Sequence, residues 1–168
     1  MMRLNSSERF LLEYLRIDSA YGLREVLDDF AEKGENLSWP AIIKRGSRLI
    51  PCIYLNFKEP RNNSRIPKGI REAVESQYFL NIKRNTVIKK IMLELTKEFN
   101  KEKVDLIFLK GAGLLATLYS HDIALRSMAD VDVLVKKNDL SKAEAILLKL
   151  GYREDYEKLS RMAHYQLS

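Results

Sequence analysis

The chain has 168 residues, 46% hydrophobic and 31% charged, with only 7 Gly and 4 Pro and no low-complexity tract, an ordinary globular balance in which disorder is not the default reading. The net charge is +6, too small for an overall polycation, and its placement along the chain matters more than its size. Apolar runs such as 104–109 are too short to cross a bilayer, and Glu8, Arg9, Glu13 and Arg16 interrupt any signal-peptide core, so a cytoplasmic chain without membrane contact is expected.

The first hundred residues read as helices. Ser6 or Ser7 can cap a helix carrying Phe10, Leu11, Tyr14 and Leu15 on one side. Leu23, Val26, Leu27, Phe30 and Ala31 repeat the pattern, and Gly34 is its stop. Ser38 before Trp39-Pro40 is a fresh N-cap, since proline is tolerated in a first turn that does not need its N–H. Ile42, Ile43 and Leu49 are expected to pack inward, and Pro51 restarts the chain. Cys52, between Pro51 and Ile53, is expected to be a small core residue.

Residues 58–67 form a loop of turn formers and charge. A long helix is expected from about Lys68 to Phe99, with Val74, Tyr78, Ile82, Ile88, Met92, Leu95 and Phe99 as its core stripe and Asn85 as a polar gap. The segment 61–90 holds Arg61, Arg65, Lys68, Arg71, Lys83, Arg84, Lys89 and Lys90 against only Glu72 and Glu75, which accounts for the whole net charge. Such a segment either attracts phosphates or nucleic acid or is simply a solvated helix face.

After Lys103 the texture changes. Val104 to Leu109 is a nearly continuous apolar run, as a buried strand requires. Lys110-Gly111-Ala112-Gly113 then turns into a short helix with Leu114, Leu115, Leu118 and Tyr119. A loop from Ser120 to Ala129 leads to a second strand, Asp130 to Val135, and Asn138 or Asp139 caps a last helix closed by Gly151. The expected class is α+β, a helical half (1–100) on a small mixed-sheet core (101–168) of order strand, turn, helix, strand, helix.

Chemistry concentrates in that core. A strand has a side-chain period of two, so Asp130 and Asp132 share a face while Val131, Val133 and Val135 point the other way. Two carboxylates a pleat apart repel unless a cation lies between them; the plain alternative is two acids meeting water. One cysteine and two distant histidines, His121 and His164, leave no softer donor set, so a metal here would be a hard ion such as Mg²⁺. The turn at Gly111 and Gly113 opens a helix whose unpaired N–H groups suit a phosphate, and Lys110 adds a cation. Arg126, four residues before Asp130, is either a second phosphate partner or a surface ion pair.

The stretch 108–135, FLKGAGLLATLYSHDIALRSMADVDVLV, resembles the signature of a putative nucleotidyltransferase family in the DNA polymerase β superfamily. The resemblance lies in Leu109 to Ala112, Leu118-Tyr119, Leu125 to Asp132 and Leu150-Gly151-Tyr152, with weaker echoes at Leu37-Ser38-Trp39 and Ile66-Pro67. It implies a polymerase β-type core in which a hydroxyl attacks the α-phosphate of a nucleoside triphosphate, with Mg²⁺ or Mn²⁺ at the reacting oxygens. Carried over, Asp130 and Asp132 are the catalytic metal ligands, and Lys110, Gly111, Ala112, Gly113 and Arg126 bind the nucleotide's phosphates. Ala112 stands where the wider superfamily often has serine. The superfamily's third carboxylate, from a later strand, is not evident before Ser168, where Asp155 and Glu157 are the nearby acids, so the core reads as incomplete at its carboxyl end.

The acceptor is left open among proteins, sugar phosphates, antibiotics and nucleic acids. Two other readings stand beside transferase activity. One is an inactive nucleotide-binding or partner-binding module of the same fold. The other is a helical protein that binds nucleic acid through segment 61–90, which demands steeply salt-dependent binding indifferent to Asp130 and Asp132.

Overall fold

Asn5, rather than Ser6 or Ser7, opens the first helix, α1 (Ser6–Tyr14). Its side chain accepts from Glu8 N at 3.0 Å while its own N–H donates to Glu8 Oε2 at 2.9 Å, a reciprocal capping box. All three residues are good caps, and the acid at Glu8 decides between them. The computed structural model describes residues 4–14, 23–46, 49–57, 66–154 and 165–167. Several expectations therefore lie outside the described residues: most of the loop 58–67, Arg61 and Arg65 of the basic segment, Asp155, Glu157 and His164.

Helix α2 (Leu23–Glu32) ends where expected. Gly34 takes φ +66°, and the bonds Gly34 N to Ala31 O and Glu35 N to Phe30 O close the helix end. Ser38 caps α3 (Trp39–Arg45) through Ala41 N, with proline in the first turn. Leu49 departs from expectation: it is 37% exposed just before α4 (Ile50–Phe57), in which Cys52 is only half-buried.

The long helix α5 (Lys68–Lys101) has 34 residues, about 50 Å of rise. Val74, Asn81, Asn85, Ile88, Met92, Leu95 and Phe99 are buried along one stripe. The helix ends on Lys103, a non-glycine residue at φ +56°, with Lys103 N bonded to Asn100 O and Val104 N to Phe99 O. Buried Val104 and Phe99 supply the apolar contact that usually accompanies this stop.

Then follow β1 (Leu106–Phe108), α6 (Lys110–Ala116), β2 (Val133–Val135), α7 (Leu140–Lys149), β3 (Tyr152–Glu154) and β4 (Tyr165–Leu167). The fold is α+β, with seven α-helices among the described residues. Where a mixed sheet was expected, the described strands form two antiparallel pairs, β1 with β2 and β3 with β4. The chain divides into two compact units, Met1–Asn85 with Tyr119–Met128 and Thr86–Leu118 with Ala129–Ser168.

The first unit is organised around Phe10, Phe30, Ile42, Ile53 and Phe57. Edge-on aromatic contacts link Phe10 to Phe30 at 6.0 Å and to Trp39 at 5.8 Å, and Trp39 to Phe57 at 5.9 Å. The second unit packs Leu95, Phe99 and Val104 against Ala143 and Ile146, with Leu106, Phe108, Val131 and Val135 lining that cluster. Among the described residues no helix is long and apolar enough to cross a membrane.

Candidate functional site

The β1–β2 ladder sets the geometry of the expected acidic site. Its register pairs Leu106 with Val135, Ile107 with Leu134 and Phe108 with Val133. The strand proper begins at Val133, later than the sequence suggested, but Leu109 N still donates to Asp132 O at 2.9 Å, so the pairing runs one step further. Val131 packs on the apolar cluster of its unit, flanked by exposed Asp130 and by Asp132, whose side chain is 33% exposed. On the face away from the cluster, Ile107 and Leu134 are exposed at 57% and 51%. Beyond them Lys136 pairs with Asp105, and that ammonium holds the Asp105 carboxyl below its ordinary range.

Helix α6 starts directly from this ladder. Leu109 is its N-cap and makes no side-chain cap bond, so the first-turn N–H groups of Lys110, Gly111 and Ala112 are those that helix geometry leaves without intrahelical partners. Gly113 N already donates to Leu109 O at 3.2 Å. Glycine at 113 answers a packing need, because a Cβ there would lie 2.7 Å from the Phe108 carbonyl oxygen. Ala112 is 1% exposed, so its backbone as well as its methyl is closed off from solvent. Lys110 sits at φ +47°, and its Nζ lies 3.1 Å from Asp132 Oδ2.

Asp130 and Asp132 are accessible carboxylates, one already carrying an ammonium, and carboxylate oxygen is the kind of donor a hard divalent cation takes. Among the described residues no group of three or more His, Cys, Asp or Glu gathers to hold a metal.

Arg126 belongs to the first unit. It follows a short 3-10 turn, Ile123–Leu125, capped by Asp122 through Ala124 N at 3.0 Å. This segment is pinned from α5, where Asn85 was expected only as a polar gap in the core stripe. Asn81 Nδ2 donates to Ala124 O at 3.0 Å, and Asn85 Nδ2 donates to Ile123 O and, at 2.7 Å, to Arg126 O. Tyr78 adds a bond to Asp122 at 2.8 Å, and Cys52 Sγ one to Leu125 O at 3.3 Å. Burial, and then the Asp122 carboxylate, push the Tyr78 phenol up to about 12; burial also raises the Cys52 thiol. Two buried polar atoms here, Asn85 Oδ1 and Arg126 Nε, have no hydrogen-bond partner among the described residues. The missed signal was two asparagines four residues apart on an otherwise apolar stripe.

The basic segment is less uniform than its sequence. Lys68 lies 3.7 Å from Glu72, and Arg84 donates to Met128 O, while Lys83, Lys89 and Lys90 are exposed.

A family model described as "Uncharacterised nucleotidyltransferase" matches residues 35–168. No curated protein and no solved structure matches the chain.

Proposed function

The chain belongs to the uncharacterised nucleotidyltransferase family, and from that membership we propose that it transfers a nucleoside monophosphate from a nucleoside triphosphate to a hydroxyl acceptor, with Asp130 and Asp132 holding Mg²⁺ or Mn²⁺. The observation that carries this reading is the accessible pair Asp130 and Asp132 around an inward Val131, tied by the Leu109–Asp132 backbone bond to the first turn of α6. In this reading residues 101–168 are the nucleotidyltransferase core and 1–100 the helical region before it.

The roles follow from the chemistry of each group. Asp130 and Asp132 supply hard oxygens that reach solvent. When bound, the divalent cation neutralises the triphosphate and polarises the phosphorus under attack. The N–H groups of Lys110 and Gly111 are the hydrogen-bond donors offered to phosphate oxygens, the buried Ala112 serving to pack the turn, and the absence of a side chain at Gly111 allows close approach. Helix α6 has only seven residues, so these local donors matter more than a macrodipole. Lys110 offers charge to the phosphates.

Calorimetry with ATP, GTP, CTP and UTP in Mg²⁺ or Mn²⁺ tests the reading. The wild type should bind at least one triphosphate in a metal-dependent manner, and the Asp130→Asn/Asp132→Asn variant should bind none. Equal binding by both would defeat the site. Binding without pyrophosphate release across a panel of hydroxyl acceptors would leave a nucleotide-binding module.

A further inference from the structure

We infer that Lys110 is a resident counter-ion of the metal site, an ammonium that the divalent cation displaces from Asp132 and that then serves the triphosphate. The inference rests on the function proposed above and adds the order of events to it.

Its starting point is the contact between Lys110 Nζ and Asp132 Oδ2 at 3.1 Å. The two side chains are 70% and 33% exposed, so the pair is held by attraction in water and not locked by packing. The backbone contributes as well. Lys110 occupies the left-handed region at φ +47°, unfavourable for a residue with a Cβ, immediately after the residue whose N–H binds Asp132 O. The chain thus accepts a strained conformation at a residue whose ammonium rests on the carboxylate.

Competition follows from charge. A cation bound directly to an Asp132 oxygen would sit within a few ångströms of the ammonium, and like charges so close repel strongly. The ammonium therefore has to leave when the metal arrives. Its flexible four-carbon stem starts at the first residue of α6 and is 70% exposed, free to swing away from the carboxylate. A triphosphate that arrives with the metal gives the displaced ammonium a new partner. Lys110 consequently weakens metal binding to the free protein and strengthens binding once phosphate is present. One side chain makes cation and triphosphate arrive as a pair.

Two probes with opposite expected signs test this. Mn²⁺ alone is titrated into the wild type, Lys110→Met, Lys110→Gln and Lys136→Met, each checked for folding by circular dichroism. Inorganic tripolyphosphate, which avoids any base preference, is then titrated at saturating Mn²⁺. Both Lys110 variants should bind Mn²⁺ about two- to fivefold more tightly, the size of a released surface ion pair. They should bind tripolyphosphate about tenfold more weakly, as loss of a charge-assisted contact predicts. Lys136→Met removes a lysine paired to a different acid, Asp105, and should change neither affinity more than about twofold. Unchanged or weaker Mn²⁺ binding in the Lys110 variants overturns the exchange, as does undiminished tripolyphosphate binding. An equal Mn²⁺ gain in Lys136→Met would reduce it to a general charge effect and overturn it too. Retained Mn²⁺ affinity in Asp130→Asn/Asp132→Asn is a separate failure, that of the proposed site itself.

Discussion

Gly113 and Tyr78 show how single positions are fixed by their surroundings. At Gly113 the limit is space, since an added methyl would meet the Phe108 carbonyl at 2.7 Å, and a backbone oxygen cannot turn aside as a side chain can. Gly113→Ala should cost about 1–3 kcal/mol through overpacking, read as a lower urea midpoint with an unchanged slope. Tyr78 is governed by a proton. Its phenol donates to the Asp122 carboxylate and titrates near 12 in the folded chain, against about 10 when unfolded. A pKa raised by folding gives stability that is fully present below pH of about 10 and is lost as pH climbs towards 12. Tyr78→Phe should therefore be less stable by about 1–2 kcal/mol at neutral pH, with the gap closing above pH of about 10. Urea midpoints of both proteins from pH 7 to 11.5 would show it; a gap that stays constant across that range contradicts the assignment.

Elements were legible where one periodic signal dominated. The stripe of α5 recurs along the helix from Val74 to Phe99, too long a pattern to arise in a strand or loop. The order of strand, turn, helix, strand and helix was legible too, because apolar runs and glycine turns alternate there. What stayed hidden depends on partners distant in the chain. Nothing near Asn85 in sequence reveals that its amide serves carbonyls 38 and 41 residues away. Replacing it by leucine leaves two carbonyls without that donor, and Asn85→Leu should cost about 2–4 kcal/mol. Amide exchange at 123–128 should rise with it, and no change in that segment would argue against the clamp. The left-handed residues Lys103 and Lys110 were equally silent, since glycine is the usual sign of that conformation. Lys103 stops α5 at φ +56°, so Lys103→Gly should raise stability by about 1 kcal/mol, read as a higher melting temperature.

At the scale of the whole molecule, composition set broad limits and local pattern supplied the class, but neither reported how the chain is shared between its units. Of the candidate site, the inward packing of Val131 and the exposure of Asp130 beside it are what alternation anticipates. The ammonium on Asp132 could not, because it depends on the Lys110 backbone and the strand register together. Each unit is assembled from two separate stretches, 1–85 with 119–128 and 86–118 with 129–168. No single scissor cut can therefore release either one intact. A fragment beginning at residue 101 leaves behind Leu95 and Phe99, two of the five buried residues around which the second unit packs. Such a piece should give a coil-like circular dichroism spectrum even though it carries every acid of the proposed metal site. Attempts to dissect this protein should keep the peptide whole and silence one site at a time.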